Sequence, residues 1–239
     1  MNDPLVSVIL PLHNGVRFLE SAVNSVRAQT YSNWELIAVD DGSTDGSAGR
    51  AEAFPDVRLL RLDHGGVARA RNAGIEAASG DLIAFIDQDD VWKPEKLELQ
   101  VEYLQDHPNK GFVIGLQKMV LGAGVPRPCW LKPELLEAPQ PGYLPSALLV
   151  RRSVFERIGF FNVDIETASD SDWFFRAKDA GIESGQLTRV LVERLIHRAN
   201  HSHSRETTKD LLHVVRDSMR RQMGLQENPK ENEDDRRSS

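Results

Sequence analysis

Residues 82–91 read LIAFIDQDDV: five apolar residues run straight into Asp87, Asp89 and Asp90, three carboxylates within four positions. Like charges repel, and an ionised carboxylate is costly to desolvate beside a buried segment. A turn needs one aspartate rather than three, so the cluster calls for a cation. The apolar part has the length of a buried strand, and the sequence on either side decides what kind of sheet it belongs to.

Working outward, short apolar runs alternate with helical repeats. LVSVILP (5–11) and LIAV (36–39) enclose a segment in which Phe18, Leu19, Ala22, Val23 and Val26 share one helical face. VRLLRL (57–62) is followed by an Ala-rich helix over 67–78, then LIAFI, then a helix from Pro94 with Leu97, Val101 and Leu104 in register. Strands apolar on both faces, alternating with amphipathic helices, predict an α/β fold whose mostly parallel sheet is covered on each side. From 107 to 143 the pattern loosens into Gly and Pro-rich sequence, expected to be a functional excursion or a lid. A strand over 144–150, a short helix in SVFERIG, a helix in DSDWFFRAKDAG ending at Gly181, a strand near 187–196 and a helix over 206–223 follow. The tail 226–239 is poor in apolar residues and expected to be disordered. The reading is one domain over 1–225, with halves 1–106 and 107–204 and a C-terminal helix over 205–224.

Composition narrows the function. The 239 residues carry 29 Lys+Arg against 36 Asp+Glu, a net charge of −7, the wrong sign for a general nucleic-acid binder. The lone Cys129 excludes an intrachain disulfide and a multi-Cys zinc site, which fits the cytosol. No apolar run approaches the roughly 20 residues that span a bilayer, and MNDPLVSVILP reads as a strand rather than a signal peptide. Work at a membrane would be at its inner surface. The C-terminal helix carries Arg216, Arg220 and Arg221, a solvated face or a contact for an anionic membrane or a partner.

Ligands of open α/β sheets bind beyond the carboxyl ends of the strands. There the chain places Leu12-His13-Asn14-Gly15, Asp40-Asp41-Gly42-Ser43, His64-Gly65-Gly66 and Asp87-Gln88-Asp89-Asp90. Asn14-Gly15 is also a turn signal, DGSTDGS is also turn chemistry with a helix N-cap at Ser43 or Asp45, and His13 and His64 read as ordinary surface histidines. Carboxylate oxygens are hard ligands suited to Mg²⁺ or Mn²⁺, which would bridge the protein to a diphosphate.

These pieces resemble glycosyltransferase family 2, with its GT-A fold, over about residues 5–204: VSVILPLHNG, SVRAQTYSNWELIAVDDGSTDGS, GGVARARNAGIEAASGDLIAFIDQDDVWKPEKLE, LLVRRSVFERIGFFN, SDSDWFFRAKDAG and HRANHSHS. The resemblance implies a Rossmann-like nucleotide-sugar half followed by a smaller acceptor-binding part. It implies that Pro11, Leu12 and Asn14 wall the nucleotide pocket and that Asp40, with Asp41 beside it, accepts from the imide of uracil or thymine. Arg71 would face the nucleotide or its phosphates. Asp87 and Asp89 form the Asp-x-Asp pair, Asp89 being the direct metal ligand; Asp90 is a second ligand or a cap on the helix that Pro94 opens. The family's general base falls on Asp170, with Asp172 as fallback and Ser169 standing where a Glu is usual; both aspartates could instead only cap a helix. His197 falls where a histidine completes the metal site or contacts the diphosphate, followed at the family's spacing by Asn200 and Ser202. His201 and His203 leave open a transition-metal site with no accompanying carboxylate or Cys.

The implied activity is an inverting, metal-dependent hexosyl transfer from a UDP- or dTDP-sugar to a hydroxyl of a glycan, lipid-linked sugar, peptide or small molecule. Trp130 in the excursion and Trp173 on the base helix are candidates for the acceptor pocket, Trp173 equally for the core. FIDQDDVW also resembles the haloacid dehalogenase phosphatases, in which Asp87 would be a nucleophile and Asp89 an acid/base, although that family opens its core with the motif. A noncatalytic sugar-nucleotide-binding domain is the third reading. A nicotinamide dehydrogenase lacks its G-x-G-x-x-G after the first strand.

Overall fold

The computed structural model describes residues 3–165, 167–197 and 205–224. Four parallel strands, β1 (Val6–Leu12), β2 (Trp34–Asp41), β3 (Val57–Leu62) and β4 (Leu82–Phe85), lie in the order β3-β2-β1-β4. The crossovers carry α1 (Val16–Arg27), α2 (Ser47–Glu52) and α3 (Val67–Ala77). β1 is buried along its whole length, because its two faces feed two cores. Val6, Val8 and Leu10 pack with Leu19, Val23 and Val26 of α1, while Ile9 packs on the other face with Ala70 and Ile75 of α3. Each such aliphatic side chain contributes about 1.5–3 kcal/mol when fully buried. Gly74 lets α3 come this close: a Cβ there would lie 2.4 Å from Ile9 Cγ2.

Beyond β4 the sheet becomes mixed. β5 (Asp90–Trp92) and α4 (Lys96–Asp106) precede β6 (Phe112–Leu121), and α5 (Glu134–Glu137) and β7 (Gln140–Pro141) precede β8 (Leu148–Arg151). Then come α6 (Arg152–Ile158), α7 (Ser169–Asp179), β9 (Ser184–Ile196) and α8 (Arg205–Gln222). β8 joins antiparallel to β4, and β6 lies between β8 and β9 before β5 closes the edge.

The α/β class and the first four strands are as the periodicity predicts. β6 differs: the sequence reading treats 107–143 as irregular, yet ten of these residues form a strand hydrogen-bonded on both sides. Gly115, Gln117 and Lys118 break its apolar run, and its partners lie far along the chain, so no local signal announces it. The strand expected over 144–150 begins only at Leu148, since Pro145–Ala147 form a 3-10 turn. The helix expected from Pro94 begins at Lys96, and Asp90 opens β5 instead of capping it. The expected tail, 226–239, and Asn200, His201, Ser202 and His203 lie outside the described residues.

Lys96 is fully buried under the sheet. Its Nζ donates to Gln100 Oε1 (2.8 Å) and Leu148 O (3.4 Å) and lies 3.9 Å from the centroid of the Trp92 ring, with no carboxylate among these contacts. Burial holds its pKa well below the usual 10.5. Between the folded and unfolded values the unfolded chain binds the proton more readily, so this group lowers stability increasingly as pH falls from 10.5. Lys96→Met is expected to raise Tm by about 2–16 °C at pH 7, taking the ~1–4 kcal/mol gained when buried ion pairs are replaced by apolar groups as the scale. The gain should shrink as calorimetric scans move towards pH 10.

Candidate active site

The carboxyl ends of β1, β2, β3 and β4 open on one edge of the sheet, and side chains there tie the loops together. Asn14, at φ +48°, is the one non-glycine residue with positive φ among those described, a conformation Asn tolerates. Its Oδ1 accepts from Thr44 N (2.8 Å) and its backbone N–H donates to Ser43 Oγ (3.0 Å), stapling the loop after β1 to the loop after β2. Asp45 links the same loops, accepting from Val16 N (3.1 Å) and Ser47 N (2.9 Å) at the starts of α1 and α2. It therefore serves the helix start as the sequence suggests, although Gly46 holds the cap position itself.

Asp40 and Asp41 are both buried and do different work. Asp40 has one weak contact, from Ser43 N at 3.3 Å. Asp41 accepts from Gly65 N, Gly66 N and His64 Nδ1, each at 2.8 Å, and so fixes the loop after β3. His13 stacks on His64 with ring centroids 4.3 Å apart, and its Nδ1 lies 2.7 Å from Asp41 O. A carbonyl only accepts, so Nδ1 of His13 carries the proton and Nε2 accepts from Asn14 Nδ2 at 2.9 Å. Candidate ligand atoms of His13, Asp41 and His64 lie within 4.8 Å of one another, a spacing that can hold a cation. In the present arrangement the two Nδ1–H groups and two backbone amides already use the Asp41 oxygens. These histidines, read as surface residues from sequence, are a structural stack at the mouth of the site.

Pro11 and Leu12 are buried at the carboxyl end of β1. The turn after β4 spreads its carboxylates in three directions. Asp87 Oδ1 takes Arg71 Nη2 at 2.7 Å, and its backbone N–H donates to Ser146 Oγ at 3.0 Å. Asp89 Oδ2 meets His197 Nε2 at 2.8 Å, and the His197 ring stacks on Phe18 at 4.5 Å. Asp90 is buried and sits opposite Arg194 in the β5–β9 pairing. Burial raises the pKa of Asp89, with the Asp87 charge adding and the His197 contact opposing. Burial pushes Asp90 well above the usual range, again reinforced by Asp87 and Asp89. Gln88, between them, pairs with the backbone of His13 through Oε1 (from N, 2.9 Å) and Nε2 (to O, 3.1 Å). Gly15 makes room for it: a Cβ there would lie 2.1 Å from Gln88 Oε1.

Arg71 is buried, packs over Phe161 with its guanidinium carbon 5.6 Å from the ring centroid, and keeps an Nε that finds no partner among the described residues. A buried guanidinium with spare donor capacity suits an anion such as phosphate. Asp170, in the first turn of α7, has its pKa raised by burial. The Arg71 charge opposes this, a hydrogen bond from Ser171 N (2.7 Å) opposes it further, and Asp87 adds to it. Asp172 points elsewhere. It is buried and bonds Arg176 Nε at 2.7 Å, and Arg176 in turn donates to Ile158 O (2.5 Å) and Phe160 O (2.6 Å). This clamp joins α7 to the segment after α6. Trp173 is fully buried against Phe112, Phe155 and Phe161, so it belongs to the core, while Trp130 packs with Met119, Leu131 and Ile196 under the excursion.

Four residues escape the sequence reading: Phe18, Gln88, Ser146 and Arg194. Only Gln88 lies inside a motif; the others are brought in by strands and helices distant in sequence.

A family profile described as "Glycosyl transferase family 2" matches residues 7–159. A curated Escherichia coli relative, "UDP-Glc:alpha-D-GlcNAc-diphosphoundecaprenol beta-1,3-glucosyltransferase WfgD", is 38% identical over 123 residues, 50% of this chain and 48% of that one. The chain thus spans about half the length of that relative. Among solved structures, Staphylococcus aureus TarS residues 1–349 in complex with UDP-GlcNAc superposes with a TM-score of 0.75 at 20% identity, covering 93% of this chain and 68% of that one. The mannosyltransferase PcManGT from Pyrobaculum calidifontis, in complex with GDP-Man and Mn²⁺, gives 0.69 at 23% identity, covering 92% and 65%. At these identities the two structures bear on the fold.

Asp172→Asn is expected to lower stability by about 3 kcal/mol, the cost of breaking a buried ion pair, measured by denaturant unfolding, and to leave donor binding intact.

Proposed function

Because the chain belongs to glycosyl transferase family 2, we propose that it transfers a hexosyl group from a nucleoside-diphosphate sugar, UDP- or dTDP-linked, to an acceptor hydroxyl with inversion, and that Asp170 is the general base. The observation that carries this reading is the division of labour on α7. Asp172 is consumed by Arg176, whereas Asp170 lies in the field of Arg71 and Asp87 with its proton affinity raised by burial. A base whose pKa is lifted towards the working pH is better matched to taking a proton from a hydroxyl. The acceptor oxygen bonds to the anomeric carbon as the bond to the diphosphate breaks, and Asp170 keeps the hydroxyl proton.

The other residues support donor binding. Asp40, with almost no protein partner, is available to accept from a pyrimidine imide. Arg71 offers its spare N–H to the diphosphate. Asp89 and His197 offer a carboxylate oxygen and an imidazole nitrogen, which together with donor phosphate oxygens would suit Mn²⁺ or Mg²⁺, while Asp87 is engaged by Arg71. A cation bound there would neutralise charge on the departing nucleoside diphosphate. The raised proton affinities of Asp89 and Asp90, caused first by burial and then by the neighbouring carboxylates, are what such a charge would offset. The Escherichia coli relative's UDP-Glc donor and diphosphoundecaprenol-linked acceptor support a UDP-sugar and, among acceptors, a lipid-linked sugar. Asp87 is ion-paired with Arg71, which disfavours its use as a phosphatase nucleophile.

Asp170→Asn is expected to lower kcat by about 10²–10⁴-fold while UDP-sugar binding, followed by calorimetry, is retained. Asp89→Ala should instead abolish the Mn²⁺-dependent part of donor binding. If both variants transfer sugar like the wild type, the mechanism is wrong.

The acid limb of the wild-type pH–rate profile should fall above the ordinary Asp value of 3.8. Between that value and the raised one, the folded protein holds a proton the unfolded chain has lost, so stability declines as pH rises through the window. Asp170→Asn removes that decline, and its Tm at pH 7 should equal or exceed that of the wild type.

A further inference from the structure

Helix α8 has three distinct faces. The buried one, with Val214 and Ser218, packs on α7. Ser218 Oγ and Arg221 Nε donate to Asp179 at the end of α7 (3.0 and 2.9 Å), and Thr167 N, just before α7, donates to Asp210 (3.0 Å). The two helices therefore run side by side in the same direction, and α8 begins near the end of α7 that carries Asp170.

At 3.6 residues per turn, Leu212, Val215, Met219 and Met223 fall on one exposed arc of about 80°. Leu212, Met219 and Met223 are 67%, 56% and 71% exposed, a large apolar stripe for a charged surface. Lys209, Arg216 and Arg220 follow at the same spacing on the adjoining arc of about 40°, and both Lys209 and Arg216 are exposed. Neither arc holds an acidic residue; Asp210 and Asp217 lie beyond the basic stripe. Arg221, read from sequence with the other arginines, is drawn away to Asp179.

We propose that this face of α8 seats the protein on an anionic lipid bilayer, the apolar stripe entering the acyl boundary and the basic stripe lying among the headgroups. An apolar stripe flanked by lysine and arginine is the pattern of an interfacial helix. No described helix is long and apolar enough to cross a membrane, so the contact is with the surface. A second copy fits less well, because apposing two such faces brings like charges together. With a net charge of −7 the chain as a whole is repelled by an anionic surface, so a basic stripe favours the orientation that presents it. Since α8 is locked to α7, that orientation sets how Asp170 meets the bilayer. The docking surface stands apart from the sugar-transfer reading.

The test is co-sedimentation of the full chain with phosphatidylcholine vesicles and with vesicles of phosphatidylcholine mixed with phosphatidylglycerol. Binding to the anionic vesicles only, weakened by salt, is expected. A Leu212→Glu/Met219→Glu double variant should bind at least about 10-fold more weakly, and Lys209→Glu/Arg216→Glu should lose the preference for phosphatidylglycerol. Unchanged circular dichroism and UDP-sugar binding in both variants would separate docking from the site. The proposal is overturned if the wild type stays in the supernatant or binds both vesicles equally. It is equally overturned if the glutamate variants bind like the wild type. A concentration-dependent dimer in sedimentation velocity, abolished by Leu212→Glu/Met219→Glu and without vesicle binding, would assign the face to a second copy instead.

Discussion

The repulsion among Asp87, Asp89, Asp90 and Asp170, four carboxylates near one edge of the sheet, is the constraint around which the site is arranged. The protein offsets it by setting a separate group beside each of them. Arg71 takes Asp87, His197 takes Asp89, Ser171 N–H serves Asp170, and Arg194 faces Asp90 across the β5–β9 pairing. The compensation is incomplete: burial leaves Asp89, Asp90 and Asp170 with raised proton affinity. An edge built this way is poised for added positive charge, while the buried Arg71, with a donor to spare, is poised for an anion.

Such poise requires that the loops do not move to relieve it, and a second set of polar residues sees to that. Asp41 holds the loop after β3, Asn14 and Asp45 hold the loops after β1 and β2 together, and Gln88 hydrogen-bonds the turn after β4 to His13. Asp172 and Arg176 do the same for the start of α7. Neighbouring acidic residues thus divide into one held by a basic side chain and one whose hydrogen bonds come from nearby residues of its own turn: Asp41 with His64 and Asp40 with Ser43, then Asp172 with Arg176 and Asp170 with Ser171.

The first half of the fold was legible because β1, β2 and β4 are largely buried and the helices between them bury one face, so apolar patterns mark these elements; β3, at the sheet edge, is only partly buried. The second half was legible only in pieces. β6 was hidden because Gly115, Gln117 and Lys118 interrupt it and its partners are β8 and β9, dozens of residues away. In the site, the strand-end motifs marked loops that the fold gathers at one edge, but residue type alone could not show that Asp172, and not Asp170, is the partner of Arg176. His13 and His64 looked incidental because nothing local records that two strand ends stack them together.

By itself, the sequence determined the α/β class, the strand ends that meet at one edge of the sheet and the acidic character of that edge, since short-range apolar patterns and strand-end composition are local properties. Only the tertiary structure decided which carboxylate is neutralised by which cation, that Trp173 is core and that Arg221 is drawn off the basic face of α8. Those outcomes depend on distances between residues far apart in the chain. A pairing energy falls off over a few ångströms, and the sequence carries no record of which distant groups come that close.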